Sequence, residues 1–227
     1  MLPNKFLTMN ISHFMTIHGK IMLDLFSGTG SVGRVFRDAG WEVVSLDKDM
    51  EADIQIDIKR WDYKAAYPQK YFDSIWASPP CTEDSKANTV GVRNLAEANE
   101  IVKKTIEIIE YFKPEFWVIE NPQTGLLKNQ SFMEHIPFKD VDYCKYGKTY
   151  RKRTRLWNNI PHWTPRPLCV GDCGQVVGGR HKERAQQGTV RALGIVKGFS
   201  RGQLYGVPSG LVEEIEHACH GPDDPTT

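Results

Sequence analysis

Residues 20–40, KIMLDLFSGTGSVGRVFRDAG, restrict the fold of this chain more than any other stretch. A short apolar run ends in the glycine-rich SGTGSVG, and an amphipathic pattern follows. Val32, Val35, Phe36 and Ala39 share one helical face, and Gly40 is the stop. Buried strand, tight turn and helix together open a βαβ unit. The rest of the chain repeats the theme. EVVSLD, ADIQIDI, FDSIWASPP and FWVIENP read as further strands. Residues 93–113 read as a helix, with Leu95, Ala98, Val102, Thr105, Ile109 and Phe112 at helical spacing. YCKYG and TRLWNN are strand-like, and GLVEEIEHA is a final short helix. The alternation predicts an α/β chain with a doubly wound, mostly parallel sheet.

The 227 residues fit one such domain with a small appendage. The expected divisions are a tail at 1–20, a catalytic core at 21–157, a basic loop-rich insertion at 158–200, a returning helix at 201–218 and a tail at 219–227. Residues 158–200 are rich in Gly, Pro, Arg and His and show little periodicity. Segments below about 40 residues rarely hold a core alone, so these must lean on the sheet or order on a ligand.

Charge is unevenly spread. Lys145 to Arg201 carry 13 Lys and Arg against Asp172 and Glu183, a net +11 in a chain whose formal total is +1. A basic third on an acidic body predicts a polyanion-binding face. Five scattered cysteines suggest a reducing compartment rather than a disulfide framework. No apolar run reaches the roughly 18–20 residues of a membrane span, and the N-terminus has no secretory pattern. A cytoplasmic, monomeric protein that avoids membranes is expected.

In open parallel sheets, ligands bind beyond the carboxyl ends of the strands. The first strand is followed by Asp24, Phe26, Ser27, Gly28, Gly30 and Gly33. Glycines there let a ligand approach backbone N–H groups at a helix start. Asp47, about 20 residues on, can hold two ribose hydroxyls. Asp57 can accept from an adenine amine. Together these point to an adenosine-containing cofactor. The fourth strand then delivers SPPC, with Cys81, and the fifth ENP, with Glu120. A thiolate attacks electron-poor carbon, and a neighbouring carboxylic acid can protonate the acceptor.

Taken in order, DLFSGTGSVG, SLDKD, IDI, SPPCTEDS, ENP, YRKRTRLW and YGVPSGLVEEI resemble the motifs of the DNA cytosine-C5 methyltransferases. The likeness spans residues 21–157 and roughly 201–218. It is nearest to short phage and large-virus members with a minimal recognition region, in a Rossmann-like class I fold. Thr82 stands where glutamine is usual, Asp84 where an aromatic is common, Pro122 where valine is, and Arg151 where glutamine is. The short insertion bears on sequence specificity more than on chemistry.

The resemblance implies S-adenosyl-L-methionine as cofactor, with Lys48 and Pro79 joining the binding set, and DNA as partner. It implies that Cys81 adds to C6 of a flipped cytosine, turning C5 into a nucleophile for the methyl group. Glu120 would hold the exocyclic amine and N3, and Arg153, with Arg155 beside it, would hold O2. Ser85, Lys148, Arg151, Lys152, Arg180, Lys182 and Arg184 would contact DNA. A restriction endonuclease partner and a virus- or phage-encoded enzyme acting in a host cell both fit. Alternatives are amino methylation of adenine N6 or cytosine N4, an RNA cytosine substrate, and non-catalytic nucleic-acid binding. Cys81 after the prolines, where amino methylases carry an aromatic, favours the C5 reading.

PLCVGDCGQVVGGRH adds Cys169, Cys173 and His181, three candidate zinc ligands. The C-x3-C spacing is irregular and the fourth ligand is not obvious, so His162 or Cys144 would have to fold in. The expectation is loop residues near DNA and no metal.

Overall fold

Period-two burial along the strands decides how the sheet is covered. The computed structural model describes residues 19–80, 95–183, 185 and 204–220. In β1 (Ile21–Leu25), Met22 packs in one core, and Leu23 and Leu25 pack in another on the opposite face. α1 (Ser31–Asp38) follows, then β2 (Glu42–Asp47), β3 (Ile54–Gln55) and one helical turn, α2 (Tyr63–Ala66). β4 (Ser74–Ala77), α3 (Leu95–Phe112) and β5 (Phe116–Pro122) complete the parallel half. β6 (Phe138–Asp142) and β7 (Arg153–Asn158) come next, then the small pair β8 (Val176–Val177) and β9 (Arg180–His181), and α4 (Ser209–Ala218).

The strands form one seven-stranded sheet in the order β3-β2-β1-β4-β5-β7-β6. β1 to β5 run parallel, and β7 is antiparallel to both its neighbours. α1 and α4 cover the Met22 face with Val32, Phe36, Leu211, Val212 and Ile215. α3 covers the other with Val102, Ile108, Ile109 and Phe112. The sheet order reverses between β1 and β4, which opens a crevice at their carboxyl ends.

Two strand readings are corrected. ADIQIDI pairs only at Ile54–Gln55, because the Asp57 carboxylate accepts the Lys59 N–H at 2.9 Å and caps a 3-10 turn over Ile58–Arg60. YCKYG is also a 3-10 turn, Tyr143–Tyr146, ended by Gly147 at φ 95°, and the strand lies just before it as β6. The insertion does lean on the body. Ile160 and Trp163 sit in the α1–α4 core, and Arg166 reaches Glu214 of α4 at 2.6 Å. No helix among the described residues is long and apolar enough to cross a membrane.

Candidate active site

Beyond β1 the chain turns sharply. Phe26, Gly28 and Gly30 all have positive φ, at 60°, 53° and 67°. A left-handed phenylalanine is strained, and such residues collect at ligand sites. Gly33 lies so close to Asp24 that an added Cβ would sit 3.1 Å from its Oδ2. Asp24 itself is buried and accepts the Gly33 N–H at 3.1 Å.

Burial pushes the Asp24 carboxyl up to about 7, partly opposed by the Gly33 hydrogen bond. An unfolded aspartate ionises near ~4. Between these values the folded chain keeps a proton that the unfolded chain has lost. The stabilisation is therefore full below about pH 4 and is lost as pH rises through about 7. Asp24→Asn should flatten the decline of Tm over that window. An equally steep decline in the variant would show that another group causes it.

Asp47, at the end of β2, accepts Gly28 N–H on Oδ2 at 3.0 Å. Its Oδ1 takes the N–H groups of Asp49 and Met50 at 2.8 and 3.0 Å. A carboxylate has about four lone-pair positions, so room remains for a ligand hydroxyl. β4 ends where Ser78 N–H reaches Leu25 at 3.2 Å. Pro79 and Pro80 cannot donate to the sheet, so the chain leaves it there. Asn121 of β5, fully buried, donates to the Pro79 carbonyl at 3.0 Å and pins this exit.

These groups line one cleft of about 560 Å³. Asp24, Phe26, Ser27, Gly28, Asp47, Lys48 and Asp57, carried by β1 to β3 and their turns, lie at one end, Glu120 and Lys152 at the other, and Pro79, after β4, between them. Of the expected cofactor-side residues, Gly30 and Gly33 are not in its lining; Gly30 precedes α1 as the N-cap. Tyr205 and Val207, from the closing motif, also reach the cleft. Cys81, Ser85 and Arg184 lie outside the described residues.

Glu120 is buried, with Oε1 accepting the Tyr143 hydroxyl at 2.9 Å and forming an ion pair with Lys152 Nζ at 3.7 Å. Burial, together with the Glu120 charge, holds the Tyr143 hydroxyl well above its ordinary range, so it remains a donor. Neither Tyr143 nor Lys152 was expected beside Glu120 from sequence. The pleat explains the placement. Glu120 pairs with Leu156 across β5 and β7, so even-numbered positions of β7 share its face. Arg153 and Arg155 point to the other face. There Arg153 binds Asp142 through two hydrogen bonds, 3.1 and 2.7 Å. Arg155 binds Asp140 likewise, at 2.8 and 3.0 Å, and stacks on Phe138. Neither guanidinium lines the cleft.

Of the expected DNA contacts, Lys148, Arg151, Arg180 and Lys182 make no ion pair with a described residue. Arg151 and Arg180 line an open groove with Val170, Val176 and Glu183. The basic third is thus partly neutralised from within: Lys145, Arg153, Arg155 and Arg166 are each committed to a carboxylate.

A parallel sheet with a reversed β7, and an acid-floored cleft at its switch point, define a Rossmann-like methyltransferase fold. No family model matches the chain. It is 32% identical over 216 residues to the "Probable DNA (cytosine-5)-methyltransferase" of Frog virus 3 (isolate Goorha), covering 87% of this chain and 99% of that one. The chain belongs to the DNA (cytosine-5)-methyltransferase family. Among solved structures, it is similar to a prophage-encoded E. coli protein described as a "putative DNA modification methyltransferase", with a TM-score of 0.49 and 17% identity. That match covers 66% of this chain and 52% of the other, so the chain spans about half its length.

Proposed function

We propose that this protein methylates C5 of cytosine in DNA, using S-adenosyl-L-methionine and a covalent adduct between Cys81 and C6. The observation that carries the reading is the single cleft joining Asp24, Asp47 and Asp57 to Glu120 and Lys152. The cofactor fits the residues at its first end. Phe26, Leu46, Ile56 and Ile58 offer apolar walls for an adenine, Asp47 a ribose acceptor, and buried Asp24 a carboxyl floor that a cationic end would draw toward its ionised form. When bound there, S-adenosyl-L-methionine supplies an electrophilic methyl group. Asp47→Ala should raise its dissociation constant about ten- to a hundredfold, as expected for losing hydrogen bonds to a charged group. An unchanged constant by calorimetry would remove Asp47 from the site.

At the second end, the Cys81 thiolate adds to C6 and makes C5 nucleophilic; once C5 carries the methyl group, a base removes the C5 proton, the C6–S bond breaks and the thiolate leaves. Glu120 receives the ring's amine and N3 and supplies a proton as negative charge develops. Lys152, on the same face, stabilises that charge. An oligonucleotide carrying 5-fluorocytosine tests the whole scheme, because fluorine at C5 blocks release. A stable protein–DNA species on denaturing gels is expected with cofactor present. Methylation of plasmid DNA without any trapped species would reject the covalent route.

DNA affinity should rest mainly on phosphates, with a short recognition sequence of about two to four bases, since a small loop reads few base edges. Substituting Arg151, Arg180 and Lys182 together by alanine should weaken binding on all sequences alike. Each lost phosphate contact should lower the slope of log affinity against log salt by about 0.9. A variant that binds as before but methylates different sites would make these residues base readers.

A further inference from the structure

Away from the cleft, the turn after β6, the following loop and the β8–β9 hairpin bring four ligating groups to one point. The sulfurs of Cys144, Cys169 and Cys173 and a ring nitrogen of His181 lie within 4.8 Å of one another. His181 Nε2 is 3.6 Å from Cys169 Sγ and 3.3 Å from Cys173 Sγ. Around a tetrahedral zinc with bonds of about 2.3 Å to sulfur and 2.0–2.1 Å to nitrogen, sulfur and nitrogen stand about 3.6 Å apart. We propose that Cys144, Cys169, Cys173 and His181 bind a structural zinc ion that fastens the insertion to the catalytic sheet.

The sequence left the fourth ligand open because the ligands come from three places. The spacing of Cys169 and Cys173, expected to be irregular, in fact lies inside the C-x2–4-C range of structural zinc sites. The fourth ligand is Cys144, 25 residues upstream, buried on the 3-10 turn Tyr143–Tyr146. His162, the other candidate, is exposed and outside the cluster. His181 arrives only because β8 and β9 pair antiparallel and fold the chain back. Three thiolates and an imidazole suit zinc over harder cations, and four protein ligands leave no open position for catalysis.

The surroundings complete the case. The Gly171 N–H donates to Cys169 Sγ at 3.4 Å, a contact that favours a thiolate. Zinc with three thiolates carries one net negative charge. Lys145, adjacent to Cys144 and held by Asp172 at 2.8 Å, supplies a cation beside it. Three thiol protons leave to solvent on binding. The insertion needs such a staple: β8 and β9 have two residues each, and Val170 and Val177 are exposed. The staple also touches the catalytic sheet. Cys169 N–H donates at 3.0 Å to Asp142, the carboxylate that holds Arg153.

The test uses the full-length protein, purified without a polyhistidine tag from zinc-supplemented medium, with metals measured by plasma mass spectrometry. About one zinc per chain is expected. Cys173→Ser and His181→Ala should each lower it at least about fivefold, whereas Cys219→Ser, altering a buried cysteine outside the cluster, should not. Because a ligand variant can fail to fold, the wild type provides a second measurement. Exchange with cobalt should give the intense spectrum of a tetrahedral thiolate site. Folded, zinc-free wild type whose three thiols react freely, or that joins two of them in a disulfide, would overturn the proposal. Methyl transfer by such zinc-free protein would leave the proposed function standing.

Discussion

Cys81→Ser is expected to abolish methyl transfer while leaving S-adenosyl-L-methionine binding unchanged. A thiol is partly ionised at neutral pH and its anion attacks ring carbon readily; a serine hydroxyl does neither without a strong base. The loss should therefore exceed about a thousandfold in turnover. Cofactor binding should survive because its groups lie on other elements. Asp24 lies one residue before the end of β1, Asp47 ends β2, and Asp57 caps the turn after β3. The thiol follows the Pro79–Pro80 exit of β4, which Asn121 fixes from β5. Equilibrium dialysis with labelled cofactor and a methyl-transfer assay on the same preparation separate the two. A serine variant with ordinary turnover would mean that the methyl group is delivered without a thiol adduct.

The geometry of the half proposed to hold the cofactor was legible because its information is local. One strand, one turn and one helix carry Asp24, Phe26, Gly28 and Gly30, and the glycine spacing is written in consecutive residues. The chain order of the parallel strands then placed Asp47 and Glu120 at the same edge of the sheet. The target half depends on longer range. YRKRTRLW identifies a basic strand, but which of its cations meets Glu120 is set by the antiparallel register, Glu120 opposite Leu156. A shift of one residue would exchange Lys152 for Arg153 at the cleft. Tyr143 was hidden for a related reason. Its aromatic neighbours suggested a strand, whereas the strand ends at Asp142 and the next turn swings the hydroxyl onto Glu120. The overall charge misled in one respect. A local excess of arginine says nothing of the acids that other strands bring, and Asp140, Asp142 and Glu214 take up three of these cations.

Glu120→Gln should lower turnover by about a hundred- to ten-thousandfold, the usual contribution of a positioned acid. The amide keeps the side chain's shape, and its oxygen can still accept from Tyr143, so the fold should be preserved. What is lost is the proton that Glu120, entering as the acid, would give to the ring. The buried position strengthens the effect, because little water competes at that end of the cleft. Cofactor affinity should not move, which separates this variant from Asp47→Ala. Tyr143→Phe supplies the graded comparison. It removes one hydrogen bond from Glu120 and leaves the carboxylate in place, so a loss of about tenfold is expected. The rate of trapping by 5-fluorocytosine DNA should fall in the same order, Glu120→Gln far below Tyr143→Phe. If Glu120→Gln kept turnover within about tenfold of wild type, the acid would lie outside the chemistry, and Lys152 would be left as the cation responsible.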